Sequence, residues 1–140
     1  MHASASALGK LFFDTYGFTG TVLDIGSTDV NGSLRRFCKN KYIGIDFSPG
    51  AGVDIVLEDP YKLPFAEGEA DAVVSSSCFE HSEMFWLVFL EILRVLKPEG
   101  VFWRGETGSS NRLRGPKTWI GCDASRTSRR DEDRTDVRQG

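Results

Sequence analysis

The sequence predicts an α/β domain whose sheet is mostly parallel and is covered by helices on both faces. Three observations support this prediction. Short apolar runs recur along the chain without strict alternation, which is typical of strands buried on both faces. The first run, residues 22–25, leads directly into a loop that contains Gly26. An acidic residue, Asp46, follows that glycine by twenty positions and comes directly after the second run.

Five strands are recognisable in the sequence. The first four are the apolar runs at residues 22–25, 42–45, 54–57 and 72–75, and the fifth begins at Val101. Right-handed crossovers place successive strands outward from the first, so the chain must return to the other side of the first strand at some point. A ligand is expected at that switch point, outside the carboxyl ends of the strands.

Two short helices are expected ahead of the second strand. The first covers residues 5–16, presents an apolar face to the sheet and ends at Gly17. The second covers residues 33–38, which corresponds to about two turns. Either Asn31 or Ser33 can cap it, since both side chains accept hydrogen bonds from backbone N–H groups.

A third helix, residues 83–96, is expected before the fifth strand. Ser82 is a suitable cap, and Pro98 and Gly100 end the helix. Its polar positions form only a thin stripe, so most of its surface is expected to be buried. The Arg94–Lys97 pair within that stripe is interpreted as a solvated face.

The charge of the chain changes sign along its length. Residues 1–103 hold 8 Lys/Arg and 14 Asp/Glu, whereas residues 104–140 hold 9 and 6. An acidic body argues against a nucleic-acid surface, because such binding depends on neutralised phosphates. The chain is therefore divided into a helical lead-in (1–20), a core (21–103) and a charged tail (104–140). The tail has too little apolar surface to offset the entropy of ordering it, so disorder is predicted there.

Cysteine usage and the N-terminus indicate the compartment. Cys38, Cys78 and Cys122 are odd in number and widely spaced, which fits reduced thiols better than a disulfide framework or a metal site. The N-terminus has no apolar run long enough for a signal peptide, and the longest apolar stretch, residues 84–90, is too short to span a bilayer. A cytoplasmic protein without a metal and without a membrane partner is expected.

Gly26 and Asp46 together point to a bound nucleoside. A glycine after a buried strand lets a ligand approach bare backbone. A carboxylate at the end of the next strand can accept both hydroxyl groups of a ribose. The plainer interpretations, a turn glycine and an exposed carboxylate at a strand end, stay open at this stage.

Four segments carry a resemblance to a known family. They read LDIG at 23–26, EDPYKLPF at 58–65, DAVVSSSCFEH at 71–81 and LKPEG at 96–100. In this order and spacing they resemble class I S-adenosylmethionine-dependent methyltransferases with a methyltransferase type 11-like domain. The resemblance covers residues 21–103 and stops near Trp103. It implies a Rossmann-like three-layer sandwich in which five of the usual seven strands are recognisable, with a truncated or altered C-terminus.

The resemblance implies S-adenosyl-L-methionine as the cofactor and assigns residues to it. Asp24 would hold the amino group of the methionine portion, directly or through water. Gly26 and Ser27 would let the methionine and ribose approach the backbone, and Asp46 would bind the ribose diol. Thr28 stands where the commoner pattern has a second glycine, and its hydroxyl can still bond the cofactor.

The remaining predicted site residues surround the adenine and the sulfonium. Phe47 would pack on the adenine face or be an ordinary core phenylalanine, and Asp59 would accept the adenine amino group. Pro60 has no N–H to offer the ring, so that contact must come from elsewhere. Ser76 and Ser77 would face the sulfonium end at the close of the fourth strand.

His81 is a candidate general base near the methyl acceptor, and it can equally serve to shape the pocket. Methyl transfer from a sulfonium is an in-line displacement that requires positioning rather than a nucleophilic triad. The sequence therefore predicts a methyltransferase acting on an unidentified acceptor, with a small molecule favoured.

Two alternative functions are considered. A nicotinamide-dependent oxidoreductase also begins with a strand and a glycine loop, but its fingerprint needs glycines where Thr28 and Asn31 stand. A catalytically inactive methyltransferase-like binding or interaction module is the other alternative. In such a chain an unpaired fifth strand would be an exposed edge at which self-association can occur.

Overall fold

The structure is a computed structural model, and it describes residues 3–17, 19–29, 32–76, 83–105 and 118–122. Its sheet has six parallel strands in the order β3-β2-β1-β4-β5-β6. The strands are β1 (Thr21–Ile25), β2 (Lys41–Asp46), β3 (Ile55–Val56), β4 (Ala70–Ser76), β5 (Leu96–Gly105) and β6 (Thr118–Cys122). The helices are α1 (Ala3–Thr15), α2 (Phe85–Val95) and a 3₁₀ helix (Leu34–Phe37).

The chain reverses direction across the sheet at β1. From β1 it runs outward through β2 to β3, and it then returns to place β4 on the other side of β1. Val22 is therefore in register with Tyr42 of β2 on one side and with Ala72 of β4 on the other. This is the switch point that the sequence predicts, and the carboxyl ends of β1, β2 and β4 meet beside it.

One face of the sheet packs against α1 and the 3₁₀ helix. Val22, Val74 and Trp103 are fully buried on this face, because alternate residues of a strand point the same way. Phe12 of α1 and Leu34 of the 3₁₀ helix pack against them. The apolar face predicted for the first helix is thus buried on the sheet.

The opposite face packs against α2. Leu23, Val73 and Phe102, the neighbours in sequence of the residues on the first face, form this core with Val88 and Ile92 of the helix. Helices therefore cover both faces of a parallel sheet. The predicted α/β, Rossmann-like three-layer sandwich is confirmed.

The 3₁₀ helix and α2 are shorter than predicted, whereas α1 begins two residues before its predicted start and ends one residue before its predicted end. The 3₁₀ helix has four residues rather than two α-helical turns, and Ser33 caps it by accepting from the N–H of Arg35 at 3.1 Å. The alternative cap, Asn31, lies outside the described residues. This short helix packs against α1 through Leu34 and Phe12.

The start of α2 and of β5 also differ from the sequence prediction. The helix begins at Phe85 after Met84, whose side chain makes no capping hydrogen bond, and the predicted cap Ser82 lies outside the described residues. β5 begins at Leu96, ahead of the predicted Val101, and its pairing with β4 is irregular between Ala70 and Ala72. Pro98 is tolerated there because an irregular strand start needs fewer ladder hydrogen bonds.

β6 is a correction to the prediction that the segment after Trp103 holds no strand. Residues 118–122 pair in parallel with Val101–Gly105, so β5 is not the exposed edge that the sequence suggested. Thr118, Trp119 and Ile120 are residue types enriched in strands, but this signal is short and lies within a segment dense in charge. In the described part of the chain, no helix is long and apolar enough to cross a membrane.

The packing of α2 leads to a stability prediction. Ile92 is 0% exposed, whereas Leu90 on the same helix is 59% exposed. Ile92→Ala should lower the free energy of unfolding by about 2–5 kcal/mol, because it leaves a cavity in the core. Leu90→Ala should change it by less than about 0.5 kcal/mol. Urea unfolding of both variants tests this, and equal losses would contradict the packing described.

Candidate functional site

A cavity of about 260 Å³ opens at the carboxyl ends of β1 and β2. Four of the residues predicted from the sequence to bind a cofactor line it: Gly26, Asp46, Phe47 and Pro60. The cavity is bounded on its other sides by the loop of residues 57–65 and by the start of α2. It therefore lies where the topology predicts a ligand, beside the switch point.

Gly26 turns the chain at the end of β1. Its φ is 77°, a left-handed conformation that glycine adopts without steric cost. The N–H groups of Gly26 and Ser27 both donate to the carbonyl oxygen of Ile45, at 2.8 and 3.2 Å. The loop is thus held against the end of β2, and at Gly26 only backbone atoms face the cavity.

The carboxylate of Asp46 organises the loop on the cavity's rim. Its Oδ2 accepts from the N–H and the hydroxyl of Thr28, at 3.2 and 2.7 Å. Its Oδ1 accepts from the N–H groups of Phe47 and Ser48, at 2.8 and 3.3 Å. A carboxylate has about four acceptor sites, so the protein itself fills them here, and a diol would bind by replacing donors such as the Thr28 hydroxyl.

Phe47 is 66% exposed although it lines the cavity. A phenylalanine ring that extends from a cavity into solvent leaves apolar surface available to a planar ligand. The interpretation of Phe47 as an ordinary core residue is therefore not supported by its exposure.

Asp59 and Pro60 lie in the 57–65 loop, and both are exposed. The Oδ1 of Asp59 accepts from the N–H of Tyr61 at 2.9 Å, which turns the loop so that Pro60 and Tyr61 line the cavity. Asp59 itself does not line it. Its carboxylate shapes this side of the cavity from outside.

Six lining residues were missed by sequence reasoning: Ile25, Ile45, Leu57, Tyr61, Glu83 and Val88. Tyr61 belongs to the segment 58–65, whose resemblance to the family was noted, so an aromatic residue next to Pro60 was the signal that could have found it. Glu83 and Val88 come from the start of α2. No local pattern indicates that this helix end reaches the site.

Glu91 and Arg94 of α2 hold the 57–65 loop. The Oε2 of Glu91 accepts from the N–H of Leu63 at 2.8 Å. Arg94 donates to the carbonyl oxygens of Phe65 and Leu63, at 2.8 and 3.1 Å, and to Glu91. The interpretation as a solvated face fits Lys97, which is exposed and pairs with Asp71 at 2.8 Å. It is wrong for Arg94, whose guanidinium bonds the loop.

Asp24 is buried on the opposite face of the sheet from the cavity. It is 3% exposed, and its Oδ2 accepts from the hydroxyl of Tyr42 at 2.6 Å. Its Oδ1 is buried and has no hydrogen-bond partner among the described residues. Burial raises the pKa of Asp24 to about 6, although Tyr42 and nearby Arg35 act to lower it.

Arg35 supports the Asp24–Tyr42 pair from the 3₁₀ helix. Its guanidinium lies over the Tyr42 ring, 5.1 Å from the centroid, and it forms an ion pair with Asp54. Asp54 in turn accepts from the N–H of Gly44 at 2.7 Å. Burial and the neighbouring Asp24 carboxyl raise the pKa of Tyr42, so its hydroxyl stays protonated and donates.

A second buried oxygen near Asp24 also has no partner among the residues described. The Oγ of Ser27 is buried and lies beside Gly44, where an added Cβ would collide with the carbonyl oxygen of Gly52 and approach that Oγ to 2.7 Å. Gly44 is the register partner of Asp24. Two buried oxygens without a described donor therefore occur close together, one near the end of β1 and one in the loop just after Gly26.

The other predicted site residues are only partly described. Ser76 ends β4, in register with Gly105, and its side chain is not described. Ser77 and His81 lie outside the described residues. Within the described part of the chain, no three His, Cys, Asp or Glu side chains are grouped to hold a metal ion, and Cys38 is a free thiol.

The raised pKa of Asp24 predicts a pH-dependent stability. Between about pH 4 and 6, Asp24 keeps its proton in the folded chain and loses it in the unfolded chain. The stabilisation linked to this proton is fully present below about pH 4 and is lost as the pH rises through 6. At about 1.4 kcal/mol per pH unit, ionised Asp24 costs on the order of 3 kcal/mol at neutral pH. Asp24→Asn should therefore match the wild type near pH 4 and be more stable above pH 6.

Thermal unfolding of the wild type and Asp24→Asn between pH 4 and 7.5 measures this difference. Tyr42→Phe serves as a companion variant, because loss of the donor should raise the pKa of Asp24 further and extend the decline in stability to higher pH. A difference between Asp24→Asn and wild type that stays constant across this range would show that Asp24 does not titrate as described.

Solved structures with the same fold provide the first comparison. A proposed S-adenosyl-L-methionine-dependent methyltransferase from Methanococcus maripaludis has a TM-score of 0.60 at 24% identity, covering 74% of this chain and 55% of that one. The PH0226 protein of Pyrococcus horikoshii OT3 has a TM-score of 0.56 at 26% identity, covering 71% and 55%.

A third structure, from Haloferax volcanii, is a complex between the Trm112 methyltransferase activator and a proposed methyltransferase. Its TM-score is 0.52 at 23% identity, and the match covers 70% of this chain and 49% of that one. This chain thus spans about half the length of the solved structures that it matches.

The family comparison covers the core of the sheet. Among curated proteins, no sequence matches this chain significantly. The family model described as a methyltransferase domain matches residues 23–103, which is more than half of the 140 residues and extends from β1 to β5. The chain therefore belongs to the methyltransferase-domain family, as the resemblance of its sequence motifs predicts.

Proposed function

We propose that this chain binds S-adenosyl-L-methionine in the cavity between Gly26 and Asp46 and acts as a methyltransferase that uses it. One observation carries the proposal. The cavity joins bare backbone at the end of β1 to a carboxylate at the end of β2, beside the switch point of a parallel sheet. That combination suits a nucleoside ligand.

The residues present fit the adenosine portion of the cofactor. Asp46 would accept the two ribose hydroxyls, replacing the hydroxyl that Thr28 now donates at 2.7 Å. Phe47, Leu57 and Tyr61 line the cavity with apolar and aromatic surface, which favours a planar base. Asp59, exposed beside the cavity, is proposed to accept the adenine amino group.

The methionine portion would meet unsatisfied acceptors. Oδ1 of Asp24 and Oγ of Ser27 are buried without a donor among the described residues. A buried acceptor left without a partner costs about 1–3 kcal/mol, and an ammonium group is a donor that would satisfy it. Because Asp24 lies on the face of the sheet opposite the cavity, the methionine portion is proposed to extend over the carboxyl end of β1, where its amino group would interact with Asp24, directly or through a water molecule.

The bound cofactor would supply an activated methyl group on its sulfonium. The part of this chain is to hold that group in line with an acceptor and to exclude water, since no covalent step on the protein is required. Ser76, Ser77 and His81 are proposed to lie near the transferred methyl group. The acceptor is proposed to be a small molecule, because the acidic body of the chain disfavours nucleic acid.

Calorimetric titration with S-adenosylmethionine and S-adenosylhomocysteine tests the proposal. Asp46→Ala should weaken binding of both about 100-fold, because two charge-assisted hydrogen bonds to the ribose are lost. Asp46→Asn keeps one acceptor oxygen, so its dissociation constants should lie between those of the wild type and those of Asp46→Ala. Asp14→Ala on α1, an exposed aspartate paired with Lys10, is the control and should bind as the wild type does.

Two other outcomes decide between the proposed functions. A folded wild-type chain that binds neither ligand would reject the cofactor site. Tight binding without transfer of a labelled methyl group to any acceptor in a small-molecule panel would favour the alternative, a module that binds the cofactor without catalysis.

A further inference from the structure

The 57–65 loop is attached to the same helix that borders the cavity. Near its N-terminus, α2 contributes Val88 to the cavity, and Glu83 just before the helix also lines it. One to two turns later, Glu91 and Arg94 bond the backbone of the loop. The helix therefore borders the cavity directly through Val88 and also holds the loop that borders it on another side.

The hydrogen bonds between the helix and the loop are directed at backbone atoms. Glu91 accepts from the Leu63 N–H at 2.8 Å. Arg94 donates to the Leu63 and Phe65 carbonyl oxygens at 3.1 and 2.8 Å, while its Nε and Nη2 donate to Glu91 at 2.8 and 2.9 Å. A planar guanidinium can make these bonds together, whereas a lysine ammonium cannot reproduce their geometry.

The pair is more than a surface ion pair. The side chains of Arg94 and Glu91 are 35% and 19% exposed. Arg94 holds the pKa of Glu91 below its usual value, so both groups are charged at neutral pH. The carbonyl oxygen of Arg94 also accepts from the Gly68 N–H at 2.9 Å, which fastens the chain just beyond the loop.

The anchored residues lie next to the ligand-facing ones. Leu63 is buried in the core beside α2, and Tyr61, two residues earlier, lines the cavity. A loop that is ordered before the ligand arrives spares the ligand the entropy of ordering it, which raises affinity. The position of Tyr61 and Pro60 thus depends on bonds made to Leu63 and Phe65.

We propose that Glu91 and Arg94 are positioning residues that hold the 57–65 loop in its ligand-binding conformation and so set the affinity for the adenosine portion of the cofactor. This inference rests on the proposed function. It assigns a role to two residues that do not line the cavity, and it concerns the adenosine portion rather than the methionine portion.

The experiment compares variants of two basic residues that are three positions apart. Arg94→Met should weaken binding about tenfold for both S-adenosylhomocysteine and 5′-methylthioadenosine, which lacks the amino-acid portion. Arg94→Lys should have a smaller effect in the same direction. Lys97→Met removes the ion pair with Asp71, which links β4 and β5 away from the loop, and should leave both dissociation constants unchanged.

Two further measurements separate positioning from general stability. Exchange of the Leu63 amide hydrogen should accelerate in Arg94→Met but not in Lys97→Met. Tyr61→Ala should weaken binding in the wild type and have less effect in the Arg94→Met background, because the ring is already displaced. All titrations are made well below the melting temperature of each variant, as followed by circular dichroism.

Each outcome supports or overturns the inference. A lower melting temperature for Arg94→Met with unchanged dissociation constants would reduce the pair to a structural role. If Arg94→Met does not fold, Arg94→Lys and Glu91→Gln provide the same comparison, and wild-type affinity in both overturns the inference. A wild-type chain that binds neither ligand rejects the proposed function and this inference with it.

Discussion

The central position of β1, hydrogen-bonded to β2 on one side and β4 on the other, is the constraint on which the candidate site depends. Both faces of β1 are covered, so Val22 and Leu23 are buried against different helix layers. Polar groups are then accommodated most readily where the strand ends. Because the chain leaves β1 in one direction and returns on the other side, the two connections diverge there, and the space between them is the cavity beside Gly26.

Two carboxyl groups near the end of β1 differ in how fully they are hydrogen-bonded. Asp46 accepts four hydrogen bonds from the loops around it, whereas Asp24 has one oxygen paired with Tyr42 and another without a described partner. The first arrangement stabilises the loop, and the second destabilises the folded chain at neutral pH because a buried charge is incompletely paired. Asp24 thus carries a strongly perturbed pKa near the end of the strand that borders the cavity, although on the opposite face of the sheet.

The helix α2 both stabilises the core and holds a loop of the candidate site. Ile92 and Val95 bury one side of it in the core, while Glu91 and Arg94 bond backbone groups of the 57–65 loop. Leu63 and Phe65 anchor the same loop by apolar packing. Hydrophobic burial fixes where the loop attaches, and the directional hydrogen bonds fix its orientation. The position of the Tyr61 ring at the cavity depends on both the apolar packing and these hydrogen bonds.

The amino-acid sequence by itself determined the layered α/β class, the switch point and the residues at the ends of β1 and β2. These features follow from local burial patterns and from Gly26 and Asp46, whose chemistry does not depend on distant partners. Only the tertiary structure decided the contacts of Tyr42 with Asp24, of Arg94 with the 57–65 loop, and of β6 with β5. Each joins residues 17 or more positions apart through register or packing, and a charged or aromatic side chain carries no local sign of the partner that folding brings to it.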